Sequence, residues 1–192
     1  LEEWKIYYIT AKHFLENPAT QWWIEIFYKN QWKKSVLKNV KHSSVSDISI
    51  FTIDWEITIF ETAVGMNWLV YGQDIYFLWF PYKYLMNIGE LNRWFPFPLV
   101  KGWIISWMFF DKPWTPLFLD GHNNPWFSGW PIVFKNTETW KIQIGGVVSG
   151  NLDEKKPIYT WRSESKDANL HIQENSWIIV GYSISNALDM IK

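Results

Sequence analysis

Apolar residues recur in short runs along the whole chain, and Asn, Asp, Pro or Gly bounds almost every run. Residues 5–10 (KIYYIT), 24–28 (IEIFY), 47–53 (DISIFTI), 56–62 (EITIFET), 69–80 (LVYGQDIYFLWF), 99–110 (LVKGWIISWMFF), 131–134 (PIVF), 141–150 (KIQIGGVVSG) and 177–184 (WIIVGYSI) have the β-branched and aromatic content of strands. Only the end, SISNALDMIK, reads as helix: Ser183 or Ser185 can cap it, and Ala187, Leu188 and Ile191 fall on one face. The polar stretch 151–176 reads as a long surface loop whose charges face solvent. Many short strands without intervening helices exclude a βαβ architecture and predict an all-β barrel or sandwich. No repeat of fixed period and no low-complexity linker interrupts the pattern.

Composition narrows the classes of function. The 192 residues, 48% hydrophobic, suffice for one large domain or two small packed lobes. A net charge of −1 with scattered lysines gives no electrostatic footprint for nucleic acid. The absence of Cys rules out disulfides and thiolate metal sites, and the four histidines (13, 42, 122 and 171) are too dispersed for a metal-ligand pair. We therefore expect neither metal nor cofactor. No apolar run reaches the ~18 to 20 residues of a membrane span, and no signal peptide is visible. The initial Leu1 suggests a fragment whose address has been removed.

Nucleophilic catalysis needs a nucleophile, a base to take its proton and a group to orient the base. Three stretches carry such residues in order. His13 follows a strand in Thr10-Ala11-Lys12-His13, Asp47 opens the apolar DISIF strand, and Ser128 sits in FSGWP. Here the chain resembles the trypsin-like (chymotrypsin-fold) serine peptidases, particularly the bacterial Deg-type domains without disulfides. TAKH is similar to the family's T-A-x-H, DISIF to D-[IL]-A-[LV]-[LF], SGWP to S-G-G-P, and GGVVSG to the G-[IV]-V-S-x strand bordering the substrate. GQDIYFLWFP resembles the opening of the second barrel, and ENSWIIVGYSI the strand before the terminal helix.

The resemblance implies two packed antiparallel β-barrels, a short C-terminal helix and a missing first strand. Its barrels would be residues 1–67, carrying His13 and Asp47, and 68–192, carrying Ser128 and the substrate strand. It implies a serine endopeptidase in which Ser128 attacks, His13 relays the proton and Asp47 holds the imidazole, in the His-Asp-Ser order. The backbone N–H groups of Trp126 and Ser128 would form the oxyanion hole. His122 and Asn123 would sit near the base of the primary pocket, and Ser149, Gly150 and Asn151 would pair with the peptide backbone. Uncharged pocket residues point to small or medium uncharged substrate side chains. Partners are then peptide or protein substrates, and the location periplasmic or extracellular. Asp54, the rival acid, lies between two runs and reads as a turn residue.

Tryptophan departs from the family pattern. Trp126 and Trp130 stand where the resembled family has glycines around the nucleophile, as do Trp79 and Trp177 in two further motifs. Trp55, Trp68 and Trp114 follow Asp, Asn and Pro at turn-like positions, and KNQWKK and TETWKI have the same look. The chain holds sixteen Trp but ten Gly, and only Arg93 and Arg162 among its eighteen basic residues are Arg, as in an AT-rich gene. Core filling fits Trp103 and Trp107, and a sugar-stacking platform would line one face rather than follow turns. Translation of a UGA codon that the organism reads as glycine accounts for the set. Taken literally, Trp126 threatens the oxyanion hole and favours a peptide-binding, non-cleaving protease-like domain. Taken as glycine, the segment becomes G-x-S-x-G, an esterase signature that requires a helix directly after Ser128.

Overall fold

A computed structural model describes residues 5–16, 23–28, 31–54, 61–80, 97–108, 116–122, 127–157 and 171–192. The expected strand at 56–62 lies largely outside them. The strands are β1 (Tyr8–Ala11), β2 (Trp23–Tyr28), β3 (Gln31–Val36), β4 (Lys38–His42), β5 (Ile48–Thr52), β6 (Ala63–Val64), β7 (Asp74–Trp79), β8 (Leu99–Trp107), β9 (Pro116–Asp120), β10 (Pro131–Lys135), β11 (Ile142–Pro157) and β12 (His171–Ser183). Two short helices, α1 (Lys12–Glu16) and α2 (Ser185–Ile191), complete the described elements.

The C-terminal strands run β10-β7-β8-β9-β12-β11, and β10 also pairs with β11, so six antiparallel strands close into a barrel. Period-2 alternation fills it: Ile75 and Phe77 of β7, Trp103 and Ile105 of β8, Leu117 and Leu119 of β9 and Ile132 and Phe134 of β10 point inward. The N-terminal half supplies a three-stranded antiparallel sheet, β1-β5-β4, and a β2–β3 hairpin. This is the chymotrypsin-like all-β architecture expected from the sequence, with its short C-terminal helix. Ile48 and Ile50 of β5 share a buried cluster with Val147 of β11 and Ile184 and Ala187 around α2, which ties the sheet to the barrel and the helix.

Helix α1 and strands β3, β4, β6 and β9 are not anticipated by the sequence reading, and two further local features differ from it. The polar stretch 151–176 is not simply a loop: Asp153–Pro157 of β11 pair in register with His171–Asn175 of β12, extending that hairpin beyond the barrel. Helix α2 has Ile184 at its N-cap position with no side-chain cap. The Ser183 hydroxyl instead accepts from the Ser185 N–H at 3.1 Å.

Candidate active site

The register of the N-terminal sheet brings His13 to Asp47. Ala11 at the end of β1 pairs with Ile48 at the start of β5, and Lys12 N–H continues the ladder to the Asp47 carbonyl at 3.1 Å. The chain then turns into α1, whose first N–H groups have no partner within the helix. One is satisfied across the fold, because His13 N–H donates to Asp47 Oδ1 at 2.8 Å. The same carboxylate holds the imidazole: His13 Nδ1 lies 2.6 Å from Asp47 Oδ2. A carboxylate can only accept, so Nδ1 carries the hydrogen and Nε2 is left as the basic nitrogen. Asp54 instead pairs with Lys38 at 2.5 Å on the surface.

Ser128 lies in the turn that enters β10. Phe127 anchors the turn, fully buried among the rings of Phe77, Trp79 and Trp103. Gly129 follows with φ +87°, and a Cβ there would stand 2.4 Å from Thr10 Oγ1, so a glycine lets the turn rest against the end of β1. Two bonds then clamp the turn to β11: Gly129 N–H to the Val148 carbonyl at 2.7 Å, and Val148 N–H to the Trp130 carbonyl at 2.9 Å. Strand β10, not a helix, follows the serine, so the nucleophile-elbow geometry of esterases is not met.

Ser128 Oγ donates to the Ser149 carbonyl at 2.6 Å rather than bonding to His13. The Ser149 hydroxyl in turn donates to Asp47 Oδ2 at 2.5 Å. One hydrogen-bonded chain thus links Ser128, Ser149, Asp47 and His13, drawn from both halves of the molecule. The Asp47 carboxylate is mostly covered (21% exposed), whereas the His13 side chain is 54% exposed and open to an incoming molecule. Burial first, and then the negative charge of Asp47, push the Tyr182 phenol up. The Ser149 hydroxyl is a contact that sequence reasoning missed. Its motif marked a substrate-bordering strand, and nothing in the spacing showed that the side chain reaches Asp47.

Gly150 and Asn151 pair with Val180 and Ile179 of β12 on one side. The β10 pairing stops at Val147, so no described strand covers their other edge. His122 follows β9, its ring 4.9 Å from the Trp177 indole and its carbonyl accepting from Lys101 Nζ at 2.7 Å. Burial lowers the Lys101 ammonium below its ordinary range. Asn123 and Trp126 lie outside the described residues. Among the described residues no cluster of three metal-ligating side chains forms, and no helix is long and apolar enough to cross a membrane.

No protein-family model matches the chain, and no curated protein matches it by sequence. Solved structures do. A variant of the HtrA-type protease AlgW with a decapeptide superposes with TM-score 0.58 at 14% identity, covering 96% of this chain and 46% of that one. AlgW with a tripeptide gives 0.55 at 16%, covering 96% and 50%. The apo MamO protease domain from Magnetospirillum magneticum gives 0.55 at 11%, covering 97% and 82%. The chain therefore shares the fold of these proteases and spans about half the length of the AlgW chains it matches.

Proposed function

We propose that this chain is a serine endopeptidase that hydrolyses peptide bonds through an acyl-enzyme intermediate. The observation that carries the reading is the His13–Asp47 pair: 34 residues apart in sequence, its members meet at 2.6 Å with Nε2 left basic. Ser128 is the nucleophile, His13 the general base and then acid, and Asp47 the orienting group. Moving the Ser128 hydroxyl from the Ser149 carbonyl toward His13 Nε2 assembles the reacting pair. The N–H groups of residues 126 and 128 receive the oxyanion. In this reading residues 1–67 form the His and Asp lobe and 68–192 the nucleophile lobe. The β11 segment Ser149, Gly150 and Asn151 takes the substrate backbone as an added strand, and His122 and Asn123 set a preference for small or medium uncharged side chains. The peptides held by AlgW in the similar structures support a peptide ligand.

A second reading is a domain that binds peptides without cleaving them. The Ser128–Ser149 hydrogen bond favours it, because it engages the nucleophile away from the base, and so does a literal Trp126. Labelling with a fluorophosphonate probe separates the two. The enzyme incorporates the probe at Ser128, and Ser128→Ala or His13→Ala abolishes incorporation. Peptide binding at the β11 edge without any Ser128 labelling would establish the second reading. A peptide library cleaved only after Lys or Arg would overturn the proposed pocket preference.

A further inference from the structure

Four described residues other than glycine adopt left-handed backbone, Asn39 (φ 50°), Trp68 (φ 70°), Trp140 (φ 60°) and Trp177 (φ 63°). Asn tolerates this region because its short side chain bonds locally. Tryptophan does not, since its Cβ meets the following carbonyl. Among the described residues no Phe or Tyr stands there, so aromatic character is not the reason.

Each of the three tryptophans occupies a different structural slot that calls for glycine. Trp68 is the third residue of the Met66–Leu69 turn, closed by Leu69 N–H to the Met66 carbonyl at 3.1 Å, a position where positive φ selects Gly or Asn. Trp140 ends the β10–β11 connection, its N–H bonding back to the Asn136 carbonyl at 2.9 Å, where a left-handed residue completes a hairpin loop. Trp177 lies in β12 where the pairing with β11 shifts register between Asn151 and Asp153, a bulge site that glycine commonly fills.

All three indoles are exposed, at 54%, 70% and 59%, so core packing does not hold them there. Lys135 lies over the Trp140 ring at 4.2 Å, but an exposed cation–π contact is worth less than the backbone conformation costs a bulky L-residue. A separate sign comes from the barrel interior, where the buried Trp103 Nε1 has no hydrogen-bond partner.

We propose that residues 68, 140 and 177 are glycine in the protein as its own cell makes it, because the codon written here as tryptophan is UGA read as glycine. The reading does not depend on the proposed activity. By sequence alone it extends to Trp126 and Trp130, which would supply glycine on both sides of the serine turn.

Peptide mass spectrometry of the protein purified from its source reads the three positions directly. Glycine at 68, 140 and 177 is the expected result; tryptophan at any of them, or UGG at that position of the gene, overturns the proposal. A second measurement follows recombinant chains through urea unfolding. Relieving the left-handed strain makes Trp68→Gly/Trp140→Gly/Trp177→Gly more stable, its unfolding constant falling about fivefold or more per site. Tyr76→Gly, at an aromatic inside β7 where glycine weakens a strand, moves the constant the other way. A triple variant less stable than the literal chain counts against the proposal. If the literal chain does not fold, recovery of a cooperative transition in the triple variant supports it, and absence of recovery counts against it.

Discussion

Asp47 shows how much one carboxylate can organise. It accepts from the His13 backbone, the His13 ring and the Ser149 hydroxyl, joining a turn, a helix start and a strand of the barrel. Replacing it by Asn offers an amide to Nδ1 and favours the wrong tautomer. We expect Asp47→Asn to lower kcat about 10⁴-fold, the loss known for the chymotrypsin triad, in a chromogenic peptide assay. Asp54→Asn, at the surface pair with Lys38, leaves kcat unchanged. That His13, Asp47 and Ser128 stand at strand boundaries with distinctive neighbours was legible, and the structure brings the first two to 2.6 Å while the Ser128 hydroxyl bonds the Ser149 carbonyl. The role of the Ser149 side chain was not legible, since a hydroxyl in an apolar strand does not announce which face it will share with a residue 102 positions away. The Ser128 turn carries its own test. If glycine at 126 and 130 restores the oxyanion donor, Trp126→Gly/Trp130→Gly raises the hydrolysis rate at least ~10²-fold over the literal chain, and adding Ser128→Ala removes the gain. Equal Ser128-dependent rates in both chains would sink the oxyanion argument.

At the scale of elements, apolar runs rich in Ile, Val and aromatics match strands, whereas lysine-rich segments do not announce theirs. Strands β5, β10 and the first half of β11 were plain because both faces are covered and the sequence is correspondingly apolar. Strands β3 (QWKKSV) and β4 (KNVKH) escaped notice because lysines occupy their exposed positions, so period-2 patterning is masked by charge. The outer part of the β11–β12 hairpin escaped for the same reason: it lies beyond the barrel core and can be polar on both faces. Where strands press together, the constraint is sharper than hydrophobicity. At Gly146 an added Cβ would stand 2.5 Å from the Tyr182 carbonyl oxygen, a backbone atom fixed by the pairing of Gly146 with Ser183. Gly146→Ala should therefore destabilise the protein by about 3 kcal/mol, the upper end of overpacking costs, measured by the urea midpoint. A change under about 0.5 kcal/mol, typical of open surface sites, would mean that the two strands can separate locally.

For the molecule as a whole, two half-buried phenols predict how stability responds to alkali. Burial raises Tyr8, and burial with the Asp47 charge raises Tyr182, above the usual 10.0. The native state therefore holds these protons more tightly than the unfolded chain. Their contribution is complete below pH 10 and is lost as pH climbs through the raised native values. Lys101 works the opposite way, because its lowered native value makes stability rise with pH below 10.5. Comparing the chain with Tyr8→Phe/Tyr182→Phe isolates the phenols: the fall in urea midpoint above pH 10 should be shallower in the double variant. An identical fall in both chains would exclude the tyrosines as its cause. Closure of the six-strand barrel has a consequence in time as well. A strand bonded on both sides cannot peel away alone, so its amide hydrogens exchange with deuterium when the whole ring opens. Ile75, Leu119, Val133 and Val147, spread over four strands, should share one slow opening free energy. The two-stranded β2–β3 ribbon, paired with no other described strand, should take up deuterium first.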